Sequence, residues 1–101
     1  MSFRKNENSF SIIIPSFNQG EFLKDCLESL HSQNYNNFEI IIMDSLSTDE
    51  TPKIVEYYKN KYKKITHFIQ KKDDGQSDAI NKGIKYSKND WISWQNCDDL
   101  Y

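Results

Sequence analysis

Short apolar runs alternate with amphipathic stretches along the chain. Ser9–Pro15 (SFSIIIP) opens with a block of isoleucines, and Phe38–Met43 (FEIIIM) repeats the pattern. Brief uninterrupted runs of this kind read as strands buried on both faces, as in a parallel sheet. Between them, Gln19–Gln33 places Phe22, Leu23, Cys26, Leu27 and Leu30 on one helical face. Asp44–Thr51 (DSLSTDET) is a polar loop in which Thr48 and Thr51 are N-cap candidates and Asp49 and Glu50 suit the positive end of a helix dipole. Pro52 fits a first turn, where its missing N–H would be unpaired anyway. The helix it opens carries Ile54, Val55, Tyr58 and Tyr62 on its apolar stripe, with Lys53, Lys59, Lys61, Lys63 and Lys64 facing solvent. Ile65–Gln70 (ITHFIQ) predicts a third strand. Lys71–Gln76 is a loop centred on Gly75, and Ser77–Ser87 is a helix with Ala79, Ile80, Gly83 and Ile84 at helical spacing. Trp91–Asn96 (WISWQN) predicts a fourth strand.

The resulting β-α-β-α-β-α-β order predicts an α/β fold, a Rossmann-like parallel sheet of about four strands with helices on both faces and right-handed crossovers. In such sheets ligands collect outside the carboxyl ends of the strands. The segments at that edge, 16–19, 44–49, 71–76 and 97–100, carry Asn18, Asp44, Asp73-Asp74 and Asp98-Asp99.

A length of 101 residues allows one small domain or part of a larger one. Thirteen Lys and Arg against 15 Asp and Glu give a net charge of −2, without the basic footprint of a duplex-binding domain, so nucleic acid is not an expected partner. The apolar runs are too short to span a bilayer, and residues 1–8 form a polar tail without the apolar core of a secretory signal. A cytoplasmic location is expected, at the inner face of the membrane if anywhere on it. Cys26 and Cys97 form no CxxC and no Cys/His cluster, which predicts reduced thiols and no zinc site. Glycines only at 20, 75 and 83 exclude GxGxxG and the P-loop. There is no GxSxG elbow, and His31 and His67 lack metal-ligand spacing.

What remains is Asn96-Cys97-Asp98-Asp99 at the end of the fourth run. Carboxylates are hard ligands for Mg²⁺ or Mn²⁺, ions that usually add phosphate oxygens from a substrate. Neighbours in extended chain point to opposite sides, so one carboxylate reaches an ion while the other accepts from a ribose or sugar hydroxyl. The pair equally fits a solvated loop, where Asp is favoured. Asp44 accepts from a base N–H or ribose hydroxyl, or caps a turn. Phe17 stacks on a base, or packs. Asp73-Asp74 before Gly75 is a turn arrangement, and Lys82 reads as a phosphate ligand or a solvated lysine.

Five segments occur in one order: Ser11–Asn18 (SIIIPSFN), Leu27–Tyr35 (LESLHSQNY), Ile40–Asp44 running on to Ser47–Thr51 (STDET), Asp74–Gly83 (DGQSDAINKG) and Trp94–Tyr101 (WQNCDDLY). Together, from Phe10 to Tyr101, they resemble the family 2 glycosyltransferases and the N-terminal half of their GT-A fold. The resemblance implies metal-dependent, inverting transfer of a sugar from a UDP- or GDP-linked donor to a glycan or lipid-linked acceptor in bacterial polysaccharide biosynthesis. It implies that Pro15, Ser16, Phe17 and Asn18 line the nucleotide site and that Asp44 contacts the base. Asp78 and Asn81 lie close to the donor, Asp98 faces its ribose or sugar, and Asp99 is the main ligand of Mn²⁺ or Mg²⁺. Residues 9–101 then form the donor-binding half, with the acceptor half and the general base expected beyond Tyr101, so the chain alone is expected to be inactive. The apolar face left without that half predicts a homodimer through it, or marginal stability. Two departures stand out: Asp44-Ser45-Leu46-Ser47 replaces D-D-G-S or D-G-G-S, losing the glycine, and Cys97 replaces Ser or Ala. The alternative reading is a non-catalytic nucleotide-binding or interaction module built on the same half-fold. A phospho-receiver domain fits less well, since the first strand ends in Ser16-Phe17-Asn18 rather than an acidic pair.

Overall fold

A computed structural model of the chain describes residues 10–32, 38–72, 75–87 and 91–94. Its elements run β1 (Phe10–Ser16), α1 (Gly20–His31), β2 (Phe38–Asp44), α2 (Thr51–Tyr62), β3 (Ile65–Gln70), α3 (Gln76–Ile84) and β4 (Trp91–Trp94). The four strands form one parallel sheet in the order β3-β2-β1-β4. The expected α/β architecture is therefore present, with helices on both faces.

Strand alternation divides the core. Ile12, Ile14, Ile40 and Ile42 point to one face and pack with Leu23 and Leu27 of α1 and Val55 and Tyr58 of α2. Ile13, Ile41 and Met43 point to the other and pack with Ala79 of α3. Chain direction explains the division. From β1 to β3 each right-handed crossover steps the same way and leaves its helix on the same face. The step from β3 back to β4, beyond β1, reverses direction and puts α3 on the opposite face. The strand order thus switches between β1 and β4, where open α/β sheets hold their ligands.

Several local expectations change. β1 runs through Pro15 to Ser16 instead of stopping at the proline. The Ser16 carbonyl accepts from Ser45 N at 2.9 Å on the β2 side. Strand alternation then turns Pro15 toward β4, past the last described pair of that ladder, Ile13↔Trp94, so its absent N–H interrupts none of the described pairs. Phe22, expected on the buried face of α1, is 48% exposed. Neither Thr48 nor Thr51 caps α2: the N-cap is Glu50, without a side-chain bond. Cys26 is disulfide-bonded rather than a free thiol, while Cys97 lies outside the described residues. At the end of α1 the His31 ring stacks on Tyr62 with centroids 4.1 Å apart, and desolvation there lowers its pKa. Among the described residues no helix is long and apolar enough to cross a membrane.

Candidate functional site

The carboxyl edge of the sheet is built from loops that hold one another in place. β1 ends in Ser16, and Phe17-Asn18-Gln19 lead directly into α1. β2 ends in Asp44, followed by the longer segment 45–50. Asp44 is 1% exposed, and both its oxygens face inward on its own loop. Oδ2 accepts from Ser47 N at 2.8 Å and Oδ1 from Ser47 Oγ at 2.5 Å. Ser47 Oγ in turn accepts from Asn18 N at 2.8 Å, passing the constraint to the first loop.

Asn18 closes the link from the other side. Its φ of 50° is a left-handed conformation that Asn adopts more readily than most residues. Its Oδ1 accepts from Thr48 N at 2.7 Å and from Asp49 N at 3.3 Å. Asp49 then serves two helix starts with one carboxylate. Oδ2 accepts from Gly20 N at 3.0 Å, at the start of α1. Oδ1 accepts from Thr51 N at 3.0 Å and Thr51 Oγ1 at 2.6 Å, at the start of α2. Desolvation is the largest single influence and works to raise the Asp49 carboxyl, but the bonds from Thr51 and Gly20 together outweigh it, and its pKa lies below the ordinary carboxylate value.

Leu46 sits at the apex of the second loop with φ 59° and its side chain 50% exposed. A left-handed leucine costs about 1–2 kcal/mol, which a glycine at this position would avoid. Phe17, also 50% exposed, projects from the neighbouring loop.

Ser16 is 2% exposed, and its Oγ meets no hydrogen-bond partner among the described residues. A buried hydroxyl without a partner costs about 1–3 kcal/mol relative to a satisfied one.

α3 approaches the same edge. Gly75 precedes it with φ 118°, a conformation open to glycine and strained for any side chain. Asp78 lies in its first turn and pairs with Lys82 Nζ at 2.9 Å, while Asn81 is exposed. Lys82 is thus engaged by a carboxylate.

Of the residues expected at the site, Pro15, Ser16, Phe17, Asn18 and Asp44 come together on two hydrogen-bonded loops, and Asp78 and Asn81 stand on α3. Asp98 and Asp99, with Asp73 and Asp74, lie outside the described residues. Among the described residues no three metal-capable side chains cluster. The residues missed by the sequence reading are Ser47 and Asp49, which hold the loops rather than face outward. Their polar types were visible, but the partners through which they tie the two loops, Asn18 and Gly20, lie about thirty positions away in sequence.

The sequence profile described as Glycosyl transferase family 2 matches residues 11–101. An uncharacterized glycosyltransferase of Rickettsia typhi is 38% identical over 91 residues, covering 90% of this chain but 27% of that protein. In structure the chain resembles a mannosyltransferase of Pyrobaculum calidifontis in complex with GDP-Man and Mn²⁺, with TM-score 0.79, 22% identity, and coverage of 88% of this chain and 27% of that one. It also resembles Staphylococcus aureus TarS in complex with UDP-GlcNAc, with TM-score 0.77, 27% identity, and coverage of 89% and 26%. The chain spans about a quarter of the length of these relatives. A profile that covers the sheet, all three crossovers and both tied loops settles the affiliation: the chain belongs to glycosyl transferase family 2.

Proposed function

We propose that this chain is the donor-binding portion of a metal-dependent, inverting glycosyltransferase. It would take a UDP- or GDP-linked sugar for transfer to a glycan or lipid-linked acceptor in bacterial polysaccharide biosynthesis. The observation that carries the reading is the buried Ser16 hydroxyl, without a partner among the described residues, at the β1/β4 switch beside two loops locked together through Asp44, Ser47 and Asn18. The locked loops give a polar ligand a surface that needs no reorganisation. The relatives bound to GDP-Man and to UDP-GlcNAc support a nucleotide-sugar as that ligand.

In this reading Pro15 and Ser16 form the floor, and Phe17 and Asn18 line the nucleotide. Asp44 acts on the base through the Ser47-braced loop it holds. Asp78 and Asn81 border the donor from α3, and Asp98 accepts from its ribose or sugar. Among the described residues Asp44 is committed to Ser47 and Asp78 to Lys82, so the divalent ion is assigned to the acidic pair after β4. Asp99 is the assigned ligand of Mn²⁺ or Mg²⁺. The ion would stabilise charge on the departing nucleoside diphosphate as a Lewis acid. The residue that takes the acceptor proton is assigned outside this chain. The proposed place of work is the cytoplasm, at the inner face of the membrane for a lipid-linked acceptor. Glutathione there favours open thiols, so the Cys26 disulfide would tend to be reduced.

Isothermal titration of the chain with UDP and with GDP, with and without Mn²⁺, tests this. Metal-dependent uptake of one nucleotide is the expected result. Asp99→Ala should weaken it by roughly tenfold or more, the loss produced even by the supporting residues of metal sites. No uptake of either nucleotide, or uptake indifferent to metal and to Asp99, would overturn the reading.

A further inference from the structure

We infer that Leu46 is a donor-contact residue that holds the nucleobase, an inference that rests on the donor-site reading above. Leu46 combines two features that folding alone does not favour. Its backbone is left-handed at φ 59°, and its side chain stays 50% exposed, so core burial does not compensate for the strain. The conformation is imposed from both sides. Ser45 N donates to Ser16 O at 2.9 Å, and Ser47 N donates to Asp44 Oδ2 at 2.8 Å. A left-handed residue clamped between two such bonds has the direction of its Cα–Cβ bond fixed by the backbone.

What it presents matches one part of a nucleotide. The bonds from Ser45 to Ser16 and from Asn18 to Ser47 bracket Phe17 and Leu46, which therefore stand at the same level on neighbouring loops. They are two half-exposed apolar side chains beside the polar Asn18, Ser47, Thr48 and Asp49 of the same loops. Phosphate and ribose gain nothing from a leucine. A flat heteroaromatic ring does, because its faces are poorly hydrated and suit an aromatic plane and an aliphatic side chain. The strain at Leu46 is then the local cost of placing a methyl-bearing group where glycine would leave the base open to water.

The test compares wild type with Leu46→Gly and Leu46→Asn. Both replacements suit a left-handed backbone and both remove the apolar group. Titrations use UDP, GDP and inorganic pyrophosphate, each with Mn²⁺. Each variant should lose about fivefold in affinity for the nucleotide that wild type prefers, the effect of half-burying one leucine. Pyrophosphate affinity should stay unchanged, and thermal midpoints should match or exceed wild type. Nucleotide affinity within about twofold of wild type, or an equal loss for pyrophosphate, overturns the role of Leu46 while leaving the donor site standing. A wild type that binds none of the three removes the donor-site reading and this inference with it.

Discussion

One absent methyl sets how deeply α3 sits on the sheet. A Cβ built on Gly83 would lie 2.7 Å from Ile13 Cγ2 and 3.1 Å from Met43 Cγ. Ile13 is fully buried and cannot swing aside. Alanine is the better helix former by about 1 kcal/mol, but overpacking a closed core costs about 1–3 kcal/mol. Gly83→Ala should therefore destabilise the chain by about 1 kcal/mol net, read from urea unfolding midpoints. A stabilised variant would mean that α3 slides freely on β1 and β2. In sequence Gly83 was one more position on a helical face; its reason is a contact with a residue seventy positions earlier. Leu46 is the converse case. The missing glycine was visible in sequence as a departure from the family pattern, and the left-handed backbone that makes it matter was not.

At the scale of elements, Asp49 joins what the chain keeps apart. The first N–H groups of a helix have no intrahelical acceptor, and here one carboxylate accepts from the starts of α1 and α2. Gly20 permits this approach, since a Cβ there would meet Asp49 Oδ2 at 3.2 Å and Ile54 Cδ1 at 3.1 Å. Asp49→Ala should cost about 1–2 kcal/mol, in the range of a lost helix cap. The pH dependence has a definite sign. With its pKa lowered in the fold, the ionised carboxylate stabilises the native state above the ordinary carboxylate pKa, and that contribution fades as pH falls through the folded value. Asp49→Asn should therefore flatten the acid limb of the stability profile and leave the neutral plateau lower, as acid titrations followed by circular dichroism would read. An unchanged acid limb would show that the two helix starts find other acceptors. Polar composition marked 44–51 as a loop before a helix, yet the threonines singled out as caps are not caps. The working acceptor sits one residue before the Glu50 N-cap and is recognised by its bonds to Gly20 and Thr51, the first of them long-range.

At the scale of the whole molecule, the alternation of apolar runs fixed the parallel strands and the layering, because only buried strands need such runs. Strand order was not legible in the same way, since β3-β2-β1-β4 depends on the direction in which each crossover steps. The site was legible as a set of loops at one edge, while its internal bracing was not. Among the described residues β3 and β4 are the edge strands of the sheet. Natural edges are usually blunted by charge, proline or a bulge. β3 carries such an irregularity in its register with β2 and an exposed Thr66. β4 (WISW) has no charged residue, and Ile92 is 42% exposed. Self-association of the isolated chain is therefore predicted to run through β4 rather than β3, by strand pairing or by burial of that apolar face. Sedimentation velocity over a concentration series should show a dimer whose population falls in Ile92→Lys and stays constant in Thr66→Lys. A wild-type chain that remains monomeric throughout would remove the dimer, and equal loss in both variants would move it away from the β4 edge.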